Sequence, residues 1–189
     1  MFNKQGFVPV CLVILIALLI TGCAPTTPMP VAVGDSYGGG IVAYILQIGD
    51  PGYDANVQHG LIAAIADQSS ATIQWYNGSY VETGATGTAI GTGQANTTAI
   101  VEKQGAGSYA AQSCNDLTVG SYSDWYLPSK GELDKLYINK VAIGGFAGDY
   151  YWSSSEGYIY GAWDQNFLDG YQGYNLKYYT FRVRAVRGF

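Results

Sequence analysis

Charge is scarce in this chain, and what little there is runs slightly negative. Of 189 residues, 9 are Lys or Arg and 14 are Asp or Glu, for a net charge of -5. No run of basic residues exists, so a nucleic-acid groove, which needs a basic patch against phosphate, is excluded. Histidine occurs once, as His59 in an expected apolar strand, and cysteine three times. No His/Cys/Asp spacing for zinc or for a hydrolytic triad can be assembled from so few ligands, and His59 reads as a structural histidine. The glycines form neither G-x-x-x-x-G-K-[ST] nor G-x-G-x-x-G, which removes the phosphate-cradling loops. Asp50, Asp54 and Asn56 lie in a turn-rich loop, but their spacing matches no EF-hand and no acidic residue closes it, so they read as solvated turn side chains. No cofactor, no metal and no catalysis are expected.

Charge is absent altogether from one further stretch. Lys4 precedes an apolar run from Phe7 to Ile20 that ends in Leu19-Ile20-Thr21-Gly22-Cys23. The run is short for a membrane span and has the charged start, apolar middle and small-residue end of a signal peptide. Cys23 after Thr21-Gly22 resembles the bacterial lipobox, which implies a signal peptide over 1–22 and lipidation of Cys23. Ala24, where an aspartate would signal inner-membrane retention, favours the outer membrane or cell surface. Pro25, Pro28 and Pro30 make 23–32 an extended tether. A single domain is expected over 33–189. With Cys11 in the signal and Cys23 lipidated, Cys114 has no disulfide partner and reads as a small buried hydrophobe.

What is abundant is tyrosine and glycine, 17 and 26 residues. They concentrate in 157–181, where Tyr158, Tyr160, Tyr171, Tyr174, Tyr178 and Tyr179 are spaced by Gly157, Gly161, Gly170 and Gly173. Tyrosine offers rigid contact area with a polar tip, and glycine lets backbone bend or approach, the composition of antibody paratopes. Aromatic, Gly-rich hairpins are also ordinary sheet material, so composition alone leaves core and contact face open.

Elsewhere Gly40 to Leu46, Gly60 to Ile65, Ala71 to Trp75 and Tyr151 to Ser155 read as strands. Asn96 to Gln104 and Ser108 to Leu117 have helical composition. Ser129 followed by Glu132 is a capping box that starts a helix with Leu133, Leu136 and Tyr137 on its apolar face, ended by Gly144-Gly145. Trp125, Trp152 and Trp163 are expected to dominate the core. Tyr158 and Tyr160 are expected on one side of a strand, and Arg182 and Arg184 on one side of another, paired with carboxylates.

Gln58-His59-Gly60-Leu61-Ile62-Ala63-Ala64, Asp124-Trp125-Tyr126-Leu127-Pro128-Ser129 with Glu132-Leu133, Tyr151-Trp152-Ser153-Ser154-Ser155-Glu156, Ala162-Trp163 and Arg182-Val183-Arg184-Ala185-Val186-Arg187 follow in order. In these motifs the domain resembles the bacterial C-type-lectin-fold surface domains, and more narrowly the variable target proteins of diversity-generating retroelements. The resemblance implies an α+β, C-type-lectin-like fold with short antiparallel strands, about two to three helices and long loops. It also implies that a reverse transcriptase rewrites adenines of a template, so that an asparagine codon yields almost any residue except Lys, Gln, Glu, Met or Trp. The candidate variable and ligand-binding sites are then Gly157, Tyr158, Ile159, Tyr160, Gly161, Asp164, Leu168, Asp169, Tyr171, Gly173, Tyr174, Asn175, Leu176, Tyr178, Tyr179, Thr180 and Phe181. Trp163, Gln165, Gln172 and Lys177 stay outside the set. The implied partner is a protein or glycan on another cell or a phage. A non-diversified adhesin is the alternative, although the Glu-Pro-Asn and Trp-Asn-Asp calcium motifs of sugar-binding lectins are missing. The formylglycine-generating enzymes of the broader fold use cysteines, of which this domain offers one.

Overall fold

The computed structural model describes residues 1, 30–69 and 71–189; the signal peptide and Cys23 lie outside the described residues. The fold is α+β, with nine short strands and four helices among the described residues. Strands β1 (Ser36–Tyr37), β2 (Gly40–Ile45), β3 (Gly60–Ala63) and β9 (Val186–Gly188) form an antiparallel sheet in that order. β4 (Ile73–Gln74) pairs with β8 (Thr180–Phe181), and β5 (Tyr150–Tyr158), β6 (Gly161–Asn166) and β7 (Gln172–Leu176) form an antiparallel meander. Helices α1 (Gly93–Gln104) and α2 (Ala110–Asn115) precede α3 (Lys130–Ile138) and α4 (Lys140–Ile143).

The capping box forms as the spacing predicts. Ser129 Oγ accepts from the Glu132 amide at 3.3 Å, and Glu132 Oε2 accepts from the Ser129 amide at 2.8 Å. Glu132 is wholly buried, yet Gly91 N and the Tyr126 hydroxyl also donate to it. Burial pushes its carboxyl above the usual carboxylate range despite these donors. Gly93 shows how tight this junction is: a Cβ there would lie 2.2 Å from Glu132 Oε2. The helix does not run on to Gly144. It breaks at Asn139, whose amide side chain donates to Ala43 O at 2.9 Å, and a separate turn, α4, ends at Gly144. That break is why four helices appear where two to three were expected.

β5 is buried on both faces from Tyr151 to Glu156, and its three serines explain how. Between Trp152 and Glu156 the strand leaves register with β6. There Ser154 N donates to Pro128 O, Ser155 Oγ to Gly87 O and Ser153 Oγ to Trp163 O, so small polar side chains satisfy the loops packed around the strand. Trp75, Trp125 and Trp152 are buried in one core cluster with Ile100, Tyr109 and Leu127. Trp163, expected in the core, is instead half-buried, with the Lys130 ammonium 3.5 Å from its ring centre; Trp75 takes the interior place. A second cluster joins β2, β3, β9, α3 and Phe167.

The C-terminal arginines pair with carboxylates. Arg184 is wholly buried, donating to Asp67 at 2.8 Å and to Ala64 O and Gly145 O. Arg182 bridges Asp67 and Asp149, both at 3.1 Å, and Arg187 holds Asp124 through two nitrogens. His59 precedes β3 rather than lying inside a strand, and its Nδ1 lies 3.1 Å from Phe189 O. Cys114 is buried among apolar groups, which pushes its thiol up.

Candidate functional site

β5 and β6 are joined by a two-residue turn, Ile159-Tyr160, with Tyr158 paired to Gly161. Tyr158 therefore ends a strand and Tyr160 sits in the turn, not one pleat along the same strand. Their rings still meet edge to face, 6.1 Å between centroids. From there the contacts continue both ways. Tyr174 lies 5.5 Å from Tyr158 and 5.2 Å from Trp163, while Tyr80 lies 5.1 Å from Tyr160 and 4.8 Å from Tyr76. Tyr178 and Tyr179 pack against each other at 4.6 Å. Tyr179 stacks on Phe181, which stacks on Tyr150. The phenol of Tyr80 is raised above its usual range, first by desolvation and then by its neighbours Tyr76, Tyr158 and Tyr160.

These rings are exposed at their outer faces but brace one another, since edge-to-face pairs are favoured over free rotation. Such a surface loses little freedom when it meets a ligand. Tyr158, Tyr160, Tyr174, Tyr178 and Tyr179, together with Gly157 and Thr180, are exposed, and Ile159, Gly173, Asn175, Leu176 and Phe181 are half-buried. Two of the predicted site residues are interior. Gly161 is buried because the Tyr158 ring lies over it, 2.4 Å from where a Cβ would stand, and Asp164 is 1% exposed beneath the meander. Asp164 Oδ2 accepts from Asn175 Nδ2 at 2.9 Å, its Oδ1 has no partner, and burial raises its pKa to about 6.

Leu168, Asp169 and Tyr171 are exposed too, but they occupy the turn between β6 and β7. That turn is at the opposite end of β6 from Tyr160, about 17 Å along the strand at about 3.3 Å per residue. The structure does not bring them to the tyrosine cluster.

Tyr76 and Tyr80 belong to the cluster although the C-terminal segment does not contain them. They come from the loop after β4, where Trp75-Tyr76-Asn77-Gly78-Ser79-Tyr80 has the same Tyr, Gly, Asn and Ser mixture as the tail. A cleft of about 380 Å³ opens beside them, lined by Glu82, Thr86, Glu156, Tyr158 and Ile159. A larger one, about 520 Å³, lies between residues 64–68 and 113–119, where Asp67 is already taken by Arg182 and Arg184.

Under the rings is a buried ion pair. Lys177, with no exposure, meets Glu156 Oε1, donates to Val81 O at 3.3 Å and lies 4.5 Å from the Trp75 ring centre. Glu156 Oε2 accepts from Thr83 N, Thr83 Oγ1 and Gly84 N at 2.9, 2.9 and 3.1 Å. This node ties β5, which carries Tyr158, and the end of β7, which carries Tyr174, to the 81–84 loop that follows Tyr80. Gln165 is likewise buried, bound to Asp134 and Gly170 O, and Gln172 donates to Lys130 O. Among the described residues no group of three His, Cys, Asp or Glu side chains converges to hold a metal.

The fold is similar to that of a crystal structure of a fimbrial protein from Bacteroides ovatus, with a TM-score of 0.52 and 18% identity over 79% of this chain. The chain spans less than half of that protein, 44% of its length. No curated protein matches. The profile of the Lcl C-terminal domain matches residues 64–187, which hold the tyrosine cluster, the Lys177–Glu156 node and the arginine pairs. By that match the chain belongs to the Lcl C-terminal domain family.

Proposed function

We propose that this protein is a surface-anchored binding module of the adhesin type, with a C-type-lectin-like scaffold that presents the Tyr76–Tyr80 loop and the β5–β6 tip as one ligand-binding face. The observation that carries this reading is the continuous string of mutually braced tyrosines, with Tyr80, Tyr160, Tyr158 and Tyr174 exposed and Tyr76 buried at its root, above a polar node buried beyond the reach of solvent. Membership of the Lcl C-terminal domain family and the fimbrial fold neighbour support an adhesin-like role. Buried aromatic anchors are the usual source of affinity at such surfaces, and the partner is a protein or glycan on another cell or phage. The reading is one of binding without catalysis. Lipidation at Cys23 would hold the domain at the outer membrane or cell surface.

Diversification of the face by a retroelement is the finer part of the proposal. Its support is that Gln165 and Lys177, which asparagine-codon rewriting cannot produce, are buried framework, while most positions it can produce are exposed. Labelled protein should bind a panel of bacterial cells and glycans, and the variant with Tyr80, Tyr158, Tyr160 and Tyr178 changed to Ala should not, with melting temperature nearly unchanged. Equal binding by both would refute the face. A near-copy of the tail's coding sequence in neighbouring DNA, differing at adenines, tests the diversification separately from the binding; its absence favours a fixed adhesin.

A further inference from the structure

The β5–β6 hairpin has two ends, and only one bears the tyrosine cluster. From Tyr158 at the tip back to Tyr150, β5 spans about 26 Å. α3 runs beside β6 toward the far end: Lys130 lies over Trp163, Asp134 binds Gln165, and Tyr137 meets Phe167. There the chain turns into α4, and Lys140 Nζ donates to Phe167 O. Three large apolar side chains are left in water at this end, Val141 at 91%, Leu168 at 73% and Ile138 at 61% exposed. Leu168 covers Gly148 in the loop that follows α4, and so joins the α4 side of the patch.

The N-terminal part of the chain passes beside this end and is then held by Gln58, whose side-chain amide accepts from Val31 N and donates to Val31 O. Gly34 packs on Ala142 of α4, with its Cβ position 3.3 Å from Ala142 O, and Gly34 N donates to Val42 O. Beyond it the tether of residues 23–32 leads back to Cys23, the expected lipid-bearing residue. We infer that this end of the domain is seated on a lipid surface, with Ile138, Val141 and Leu168 entering the interfacial layer. The inference rests on the membrane-anchored reading above and adds to it a direct contact between the folded domain and the bilayer. Apolar side chains rimmed by charge are the composition of an interfacial contact. Here Lys135 and Lys140 stand on α3 and α4 and Asp169 beside Leu168. The consequence is orientation: with the foot on the membrane, the tyrosine face points away from it.

The test uses the chain matured at Cys23 and carrying its lipid, reconstituted in vesicles of phosphatidylethanolamine and phosphatidylglycerol that contain a brominated phospholipid. In Val141→Trp the emission gained over the parent chain should fall by roughly half or more, as for a side chain within the acyl boundary. Tyr160→Trp, at the other end, should be quenched by aqueous iodide and not by the brominated lipid. A chain that floats with the vesicles but whose Trp at 141 is untouched by brominated lipid overturns the foot and leaves the anchor standing. A chain that does not float overturns both. Shielding of position 141 from lipid and iodide alike would mean that another protein copy covers it, and also overturns the inference.

Discussion

Replacing Lys177 with Met separates the node beneath the tyrosines from the rings above it. Methionine fills most of the lysine stem's volume, so packing against Trp75 is largely kept and the loss is electrostatic. Removing one partner of a buried ion pair costs about 3–5 kcal/mol, because the remaining charge is left uncompensated. Glu156 keeps the three donors on its other oxygen, which places the cost near the lower end, about 3–4 kcal/mol. For a domain of this size that is a fall of about 6–16 °C in Tm. Equilibrium urea unfolding followed by circular dichroism, with Tm from the same signal, measures both. The double variant Lys177→Met with Glu156→Gln should recover about 1 kcal/mol or more relative to the sum of the single changes, since the two groups act as one unit. A loss under about 1 kcal/mol for Lys177→Met, or simple additivity, would show that the pair is not the node described.

The other expectations are independent of it. Asp164, held at about 6 by burial, keeps its proton more tightly than the unfolded chain, whose aspartates ionise near about 3.9. Its stabilising contribution is therefore full below about pH 4 and lost by about pH 6, so Asp164→Asn should be more stable than the parent by about 1–3 kcal/mol at pH 8 and nearly equal at pH 4. Urea titrations at the two pH values check this, and a gap that widens toward acid would refute it. Gly93→Ala forces a Cβ against Glu132 and the Ser129 amide and should cost about 1–3 kcal/mol in the same assay. Cys114, buried and with its thiol raised, should resist iodoacetamide in the native protein and react only after urea is added, as read by peptide mapping.

Much of this fold was legible because local chemistry and tertiary structure agree. The Ser129–Glu132 capping box and the strands at Gly40 and Gly60 follow from short-range pattern, and the carboxylate pairing of the arginines follows from the lack of any basic patch for them to join. What escaped depends on distant partners. Trp163 looked like core because it is large, yet the α3 face it meets presents a lysine; Trp75 looked like an ordinary strand residue, yet its indole N–H reaches Ser153 O at 2.8 Å across 78 residues of chain. The candidate face was half legible. Composition found the tail, but only the fold could show that Leu168, Asp169 and Tyr171 go to the wrong end and that the Tyr76–Tyr80 loop comes in from elsewhere. Asp164 was mistaken for a contact because sequence does not reveal which pleat a residue takes once a strand slips register.

Strand β9, Val186–Gly188, is hydrogen-bonded to β3, and Tyr126 is bridged to Val186, so the first sheet is completed by pairing residues as far apart in the chain as Leu61 and Gly188. Pairings of such long sequence separation form slowly. The first sheet therefore closes late, and until it does the edge of β3 is an open template for pairing with a neighbouring molecule.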